Sequence, residues 1–239
     1  MELSTLFETK KFLLEVTMPQ QIEYAEAVLK GGADCIKVRC NPDRGMKSIS
    51  APNARLGSFE EEKPFFQELI EMAGDVPVGL LPGLKDFFMT EDECDEAKRM
   101  GFKYFVTSAR FAPPYLFYSK LPVMIAAGYE DSDDQLLKGI DLCPYVNSIE
   151  LGIIARELMG TQLVYEDILR YYAVVKSASK PVVATAQRRM TPQDVKCFYE
   201  LGCKGLMIGG MIFNHEGGEA TPESCYRITS EFREAIEKL

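Results

Sequence analysis

Short apolar segments alternate with amphipathic ones from one end of this chain to the other, and that alternation limits the fold more than any other feature. Residues 12–17 (FLLEVT), 34–40 (DCIKVRC), 77–81, 104–108, 122–126, 146–151, 181–186 (PVVATA) and 205–208 read as strands. Residues 19–29, 59–73, 91–100, 131–138, 165–177, 191–201 and 222–238 between them read as helices, several opened by a Thr or Pro at the start and closed by Gly. The phrase "helix, Gly, polar residues, apolar strand" recurs at KGGADCIKV, RMGFKYFV and ELGCKGLMI, the weak internal repeat of a chain built from equal units. Eight strands in this metre predict a single (β/α)8 TIM barrel spanning residues 1–239, an α/β fold of one domain. A doubly wound open sheet is the rival, but no G-x-G-x-x-G turn follows the first strand. Residues 110–120, broken by Pro113-Pro114, are the least regular stretch.

Composition removes whole classes of function. With 27 Lys and Arg against 36 Asp and Glu in 239 residues, the formal charge is −9, and the basic residues form no concentrated positive face for nucleic acid. No apolar run approaches the ~20 residues of a membrane helix, and the first dozen residues lack a secretory pattern, so a cytoplasmic protein is expected. Seven cysteines without a C-x-x-C pair read as reduced thiols, and the one histidine, His215, builds no metal cluster. No cofactor and no metal site is predicted. The partner expected is a small anionic metabolite, and a homo-oligomer is left open.

Strand alternation then selects the candidate site. In a barrel the active site lies at the carboxyl ends of the strands, and every second side chain faces inward. In 34–40, Ile36, Val38 and Cys40 suit the helix side, which turns Lys37 and Arg39 inward. The same phase argument turns Glu15, Glu150, Thr185 and Gln187 inward. Two carboxylates, an ammonium and a guanidinium in otherwise apolar strands are costly to bury, and this set can move a proton and hold an oxyanion. Glu15, Lys37 and Glu150 are therefore the catalytic candidates, with Arg39 and Thr185 as substrate-binding groups. Gly209-Gly210 ends the last strand beside Gln187 and Arg188, and exposed backbone N–H groups there would bind phosphate. The loop 41–58, with Arg44, Lys47 and Arg55, reads equally as a segment that closes over an anionic ligand and as an ordinary solvated loop.

AVLKGGADCIKVRCN and KPVVATAQRRMTPQDVKCFYELGCKGLMIGGMI resemble the ribulose-phosphate-binding barrel superfamily, nearest to its N-acetylmannosamine-6-phosphate epimerase-like branch. Thr191-Pro192-Gln193-Asp194, Leu201-Gly202 and Gly209-Gly210 match that branch's phrases. The resemblance implies the barrel and a phosphate site at the end of the eighth strand. The branch's catalytic positions are not retained: its strand-three lysine has no equivalent, since Lys85 lies beyond the strand, and Thr185 stands where it carries a glutamate. The reading is an enzyme that acts on a small phosphorylated carbonyl compound or sugar phosphate by acid–base chemistry, as an isomerase, epimerase or aldolase-type lyase. The alternatives are a non-catalytic phosphometabolite-binding or regulatory barrel and a lyase that uses a divalent metal between Glu15 and Glu150.

Overall fold

In the computed structural model, which describes residues 2–41, 56–84, 87–129, 134–214 and 219–239, eight parallel strands close in sequence order into a barrel. The strands are β1 (Leu13–Thr17), β2 (Cys35–Arg39), β3 (Val78–Leu81), β4 (Tyr104–Thr107), β5 (Val123–Gly128), β6 (Val146–Gly152), β7 (Val182–Thr185) and β8 (Gly205–Ile208). The last pairs with the first, Leu13 opposite Gly205 and Glu15 opposite Met207, so no edge is left open. Arg44, Lys47, Arg55, Lys85 and His215 lie outside the described residues. No helix among the described residues is long and apolar enough to cross a membrane.

The outer layer consists of α2 (Ile22–Lys30), α3 (Phe59–Ala73), α4 (Glu91–Met100), α5 (Asp134–Leu142), α6 (Tyr165–Ser177), α7 (Val195–Leu201) and α9 (Pro222–Glu237). Local chemistry sets their ends. Ser58 and Thr90 accept from the backbone N–H three residues on, while Glu61 and Glu93 return the bond to the cap residue's own N–H. Gly101 and Gly202 close α4 and α7 in the left-handed conformation, at φ 117° and 103°. Two helices depart from the sequence pattern. Leu3–Thr9 forms α1, whose Leu3 and Leu6 pack with Leu13, Cys35 and Tyr104 and so plug the amino end of the barrel. Gly210–Phe213 forms a single turn, α8, immediately after β8. α5 runs to Leu142, a few residues further than the pattern of acids and leucines suggests, and Pro114–Tyr118 is a 3-10 turn.

Phase is as alternation predicts. Leu14, Val16, Ile36, Val38, Leu80, Phe105, Ile125, Ile149, Leu151, Ala184, Leu206 and Ile208 pack outward against the helices in the main core. Leu13, Cys35, Tyr104, Val106, Met124, Val183 and Met207 fill the interior as a second cluster. The pairing register, with the stagger that closure of an eight-stranded barrel imposes, stacks the inward residues in layers drawn from alternate strands. From the amino end upward, one layer holds Cys35, Tyr104, Ser148 and Gly205, and the next holds Glu15, Gly79, Met124 and Val183. Above them lie Lys37, Val106, Glu150 and Met207, then Thr17, Leu81, Ala126 and Thr185. Glycine at 79 is required by volume: a Cβ there would meet the Tyr104 ring at 2.3 Å.

Candidate active site

Lys37 and Glu150 share one layer and stand on opposite strands, so their side chains meet across the barrel. The Lys37 ammonium donates to Glu150 Oε2, and both residues are buried, 7% and 6% exposed. Thr185, one layer nearer the mouth on the neighbouring β7, donates its hydroxyl to the other oxygen, Glu150 Oε1, at 3.3 Å. Tyr171 of α6 fixes Thr185 from outside by donating to its carbonyl at 3.0 Å. Arg39 follows Lys37 on the same face of β2, half-buried toward the mouth, and burial pushes its guanidinium below its ordinary pKa. Gln20 holds this end of β2 by accepting from the Arg39 backbone N–H at 2.7 Å.

Glu15 sits one layer deeper and is sealed, at 1% exposure. Its Oε1 accepts from the Tyr104 hydroxyl at 2.8 Å, while Oε2 has no hydrogen-bond partner among the described residues. Burial pushes its carboxyl up to about 7; the Lys37 charge opposes that rise and the Glu150 charge adds to it. Burial opposes a charge on Lys37 too, but the two carboxylates, Glu150 foremost, outweigh it and raise the ammonium above its ordinary pKa. At neutral pH the interior therefore holds the Lys37 ammonium against Glu150 and, one layer deeper, the Glu15 carboxyl close to its titration midpoint. Environments that separate neighbouring titratable groups in this way are those of acid–base sites. Cys35, beside Glu15 and Tyr104, is held as a neutral thiol because burial pushes its pKa well up.

Tyr104 is a member of the site that sequence alone does not single out, since an aromatic residue opening an apolar strand reads as core. Its inward phase and the facing Gly79 are the signals that would have found it. Ser148 likewise faces inward and is fully buried, with its hydroxyl unpartnered among the described residues.

The loops after β7 and β8 are arranged differently from the sequence expectation. Sequence places Gln187 and Arg188 beside an anion; the fold engages both side chains with the segment between β6 and α6 and with the start of α6. The Arg188 guanidinium, 5% exposed, lies against the Asp167 carboxylate of α6, with Nε 2.8 Å from Oδ2 and Nη2 donating to Oδ1 at 2.9 Å. Its Nη1 donates to the Leu158 carbonyl at 3.0 Å and to the Thr161 hydroxyl. Gln187 Oε1 accepts from the Ile154 N–H at 2.9 Å, its amide packed over Gly152. Both residues thus shape the rim. Gly209 is extended and passes so close to β1 that a Cβ would meet Thr17 Cγ2 at 2.4 Å. Gly210 opens α8, whose first N–H groups have no acceptor within the helix. Among the described residues no group of three or more His, Cys, Asp or Glu side chains is disposed to hold a metal ion, and the Lys37 ammonium takes the place beside Glu150 that a cation would need.

No protein-family model matches the chain, and no curated protein matches it. Solved structures do. The tryptophan synthase alpha subunit from Legionella pneumophila superposes with a TM-score of 0.75 at 13% identity, covering 98% of each chain. Thiamine phosphate pyrophosphorylase from Pyrococcus furiosus has a TM-score of 0.60 at 16% identity, over 96% of this chain and 97% of that one. The native KDPGal structure has a TM-score of 0.60 at 13% identity, over 95% and 94%. At such identities the likeness is one of fold: the chain is a (β/α)8 barrel of the kind seen in tryptophan synthase alpha subunits.

Proposed function

We propose that this protein is an enzyme acting on a small phosphorylated carbonyl compound or sugar phosphate, moving a proton on carbon next to the carbonyl in an isomerisation, epimerisation or aldol-type cleavage. The observation that carries this reading is the Lys37–Glu150 pair, an ammonium and a carboxylate brought from opposite strands to the centre of the barrel. A substrate entering from the mouth meets its upper edge, with Thr185 and Arg39 above it. The Glu150 carboxylate accepts the carbon-bound proton, and the electron pair of that bond moves onto the carbonyl oxygen. The Lys37 ammonium donates a hydrogen bond to the resulting oxyanion. Proton return to the same carbon, to its neighbour, or breakage of the adjacent carbon–carbon bond separates the three outcomes. Two carboxylates that hold the proton on Lys37 favour its use as an ammonium over the free amine that a Schiff base requires.

Gly209-Gly210 is the proposed phosphate cradle, through backbone N–H groups, with Gln187 and Arg188 shaping the adjoining loop. The phosphate-type names among the fold neighbours, thiamine phosphate pyrophosphorylase in particular, accord with this, as do the sequence phrases shared with the epimerase-like branch. The test is turnover of a panel of phosphorylated ketoses, aldoses and 2-keto acids, read by solvent deuterium incorporation at the carbon beside the carbonyl. At least one substrate should exchange with wild-type protein, and Lys37→Met should lower that rate by about 100-fold or more. A fully active Lys37→Met would overturn the assignment. Tight binding of phosphorylated compounds with no exchange at all would favour the non-catalytic binding barrel.

A further inference from the structure

α6 is apolar on two faces, and only one of them is accounted for by the barrel. Ile168, Tyr171, Val174 and Val175 face the core, with Tyr171 fully buried edge-on to Phe198. On the far side Tyr165, Leu169, Tyr172 and Ala173 stand in water at 76%, 53%, 46% and a comparably exposed level, at helical spacings of four, three and one. The stripe continues sideways. Ala173, Val174 and Ser177 form one wall of a groove of about 550 Å³ whose other wall is α5, and Leu142 at the end of α5 is 70% exposed there. Ten of the twelve large apolar side chains exposed among the described residues fall between Phe111 and Tyr172, so the surface is strongly one-sided.

We propose that this face is a two-fold interface with a second copy of the same chain, α6 packing antiparallel on α6. The geometry of the helix itself argues for self-pairing. Glu166, already paired with Arg170 of its own chain at 2.7 Å, lies in the first turn and Lys176 in the last, so an antiparallel copy carries Lys176 to the other copy's first turn, whereas a parallel one sets Lys176 against Lys176. A two-fold axis between Leu169 and Tyr172 stacks each Leu169 on the other copy's Tyr172. The same axis brings Lys176 over the other copy's Tyr165; within one chain Lys176 already lies 5.3 Å from the Tyr172 ring centre. The exposed rings and leucines of α6, with Leu142, offer on the order of 500 Å² of apolar side-chain surface. A standard interface buries about 800 Å² per partner, roughly two-thirds of it apolar between identical subunits, so the patch has the size of a dimer's apolar centre. The barrel mouth stays open in this arrangement, because α6 flanks the barrel.

Sedimentation equilibrium or light scattering at about 10 µM protein in roughly physiological salt tests this, independently of any activity. The expected mass is twice the chain's 26.9 kDa. Leu169→Glu should return the protein to a monomer, at least 10-fold weaker in association, with circular dichroism unchanged and an unfolding midpoint that no longer rises with protein concentration as the wild-type dimer's does, because Leu169 faces solvent in one chain. By symmetry the substitution enters the interface twice. Tyr226→Glu, on the exposed side of α9, should leave the dimer intact. A monomeric wild-type chain, a trimer or higher ring, or a dimer that survives Leu169→Glu would overturn the proposal. Loss of the dimer with turnover retained would leave the proposed function standing, and absence of turnover in a stable dimer would leave this interface standing.

Discussion

Glu15 offers the most direct physical test of the barrel interior, because its effect on stability can be worked out from its surroundings. It is 1% exposed, with one oxygen on the Tyr104 hydroxyl and the other without a partner, and burial is the main reason its carboxyl rises from 4.5 to about 7. The folded protein therefore keeps a proton that the unfolded chain releases. As pH rises through this window only the unfolded state gains by ionising, so stability falls from about pH 4.5 to pH 7 and is level above it. The distance between the two values amounts to about 3 kcal/mol. About 2 kcal/mol of this lies between pH 5.5 and 7, a range clear of the isoelectric point near 4.9, where low net charge favours aggregation. Glu15→Gln keeps the shape, keeps an oxygen for Tyr104 to donate to, and cannot ionise. Urea unfolding at pH 5.5, 6.2, 7 and 8 should show the wild-type protein losing about 2 kcal/mol relative to the variant. Other groups titrate alike in both proteins and cancel in the difference. Parallel stability curves for the two would show that Glu15 is ionised in the fold and refute the argument.

Lys37→Met leaves the Glu150 carboxylate buried without its cation and should cost about 3–5 kcal/mol in urea unfolding, most of it recovered in the Lys37→Met, Glu150→Leu double variant. Additive losses would mean that the pair is not coupled. Gly79→Ala forces the Tyr104 ring from a position 2.3 Å from the new carbon and should cost about 1–3 kcal/mol, read as a lowered Tm. Millimolar phosphate should raise the Tm of the wild-type protein, and Gly210→Asp should show no such rise above its own unliganded Tm, because a carboxylate there repels the anion. An equal rise in both proteins would exclude Gly209-Gly210 as the cradle.

Much of this interior is legible in sequence because apolar strands expose their exceptions. In Cys35–Arg39 the outward positions are Ile36 and Val38, so a slip of one residue would push Lys37 into the helix layer, and the observed phase is the affordable one. The same reasoning turns Glu15, Glu150 and Thr185 inward. Pairwise contacts are another matter. That Lys37 reaches Glu150 while Glu15 pairs with Tyr104 follows from barrel stagger, which sets β2 and β6 level and β1 one layer lower; within-strand alternation carries no information about that offset. Arg188 fails for a different reason. A cation in a loop beside two glycines suggests an anion, yet its partner Asp167 lies 21 residues back at the start of α6, where it reads as an ordinary first-turn acid. α1 was invisible because its two buried leucines, Leu3 and Leu6, are too few to establish a period.

The vertical order of the polar groups gives the site its logic. Arg39 and Thr185 are nearest the mouth, the Lys37–Glu150 pair closes the floor beneath them, and Glu15 and Tyr104 lie under that floor among Cys35, Met124 and Val183. In the proposed reaction a substrate entering from the mouth would meet the first two tiers only. Glu15 interacts with the pair through charge: ionised, it adds to the pull of Glu150 on the Lys37 ammonium. Tyr104 sustains the arrangement because its hydroxyl has two acceptors in reach, Glu15 Oε1 at 2.8 Å and the Ile36 carbonyl at 3.5 Å, and one hydrogen to give. When Glu15 carries the proton it can donate to the phenol oxygen, and the phenol hydrogen is freed for Ile36. One oxygen of the buried carboxyl thus keeps the Tyr104 phenol as its partner in both protonation states, while the other has no partner among the described residues, in accord with a carboxyl that burial holds protonated toward neutral pH.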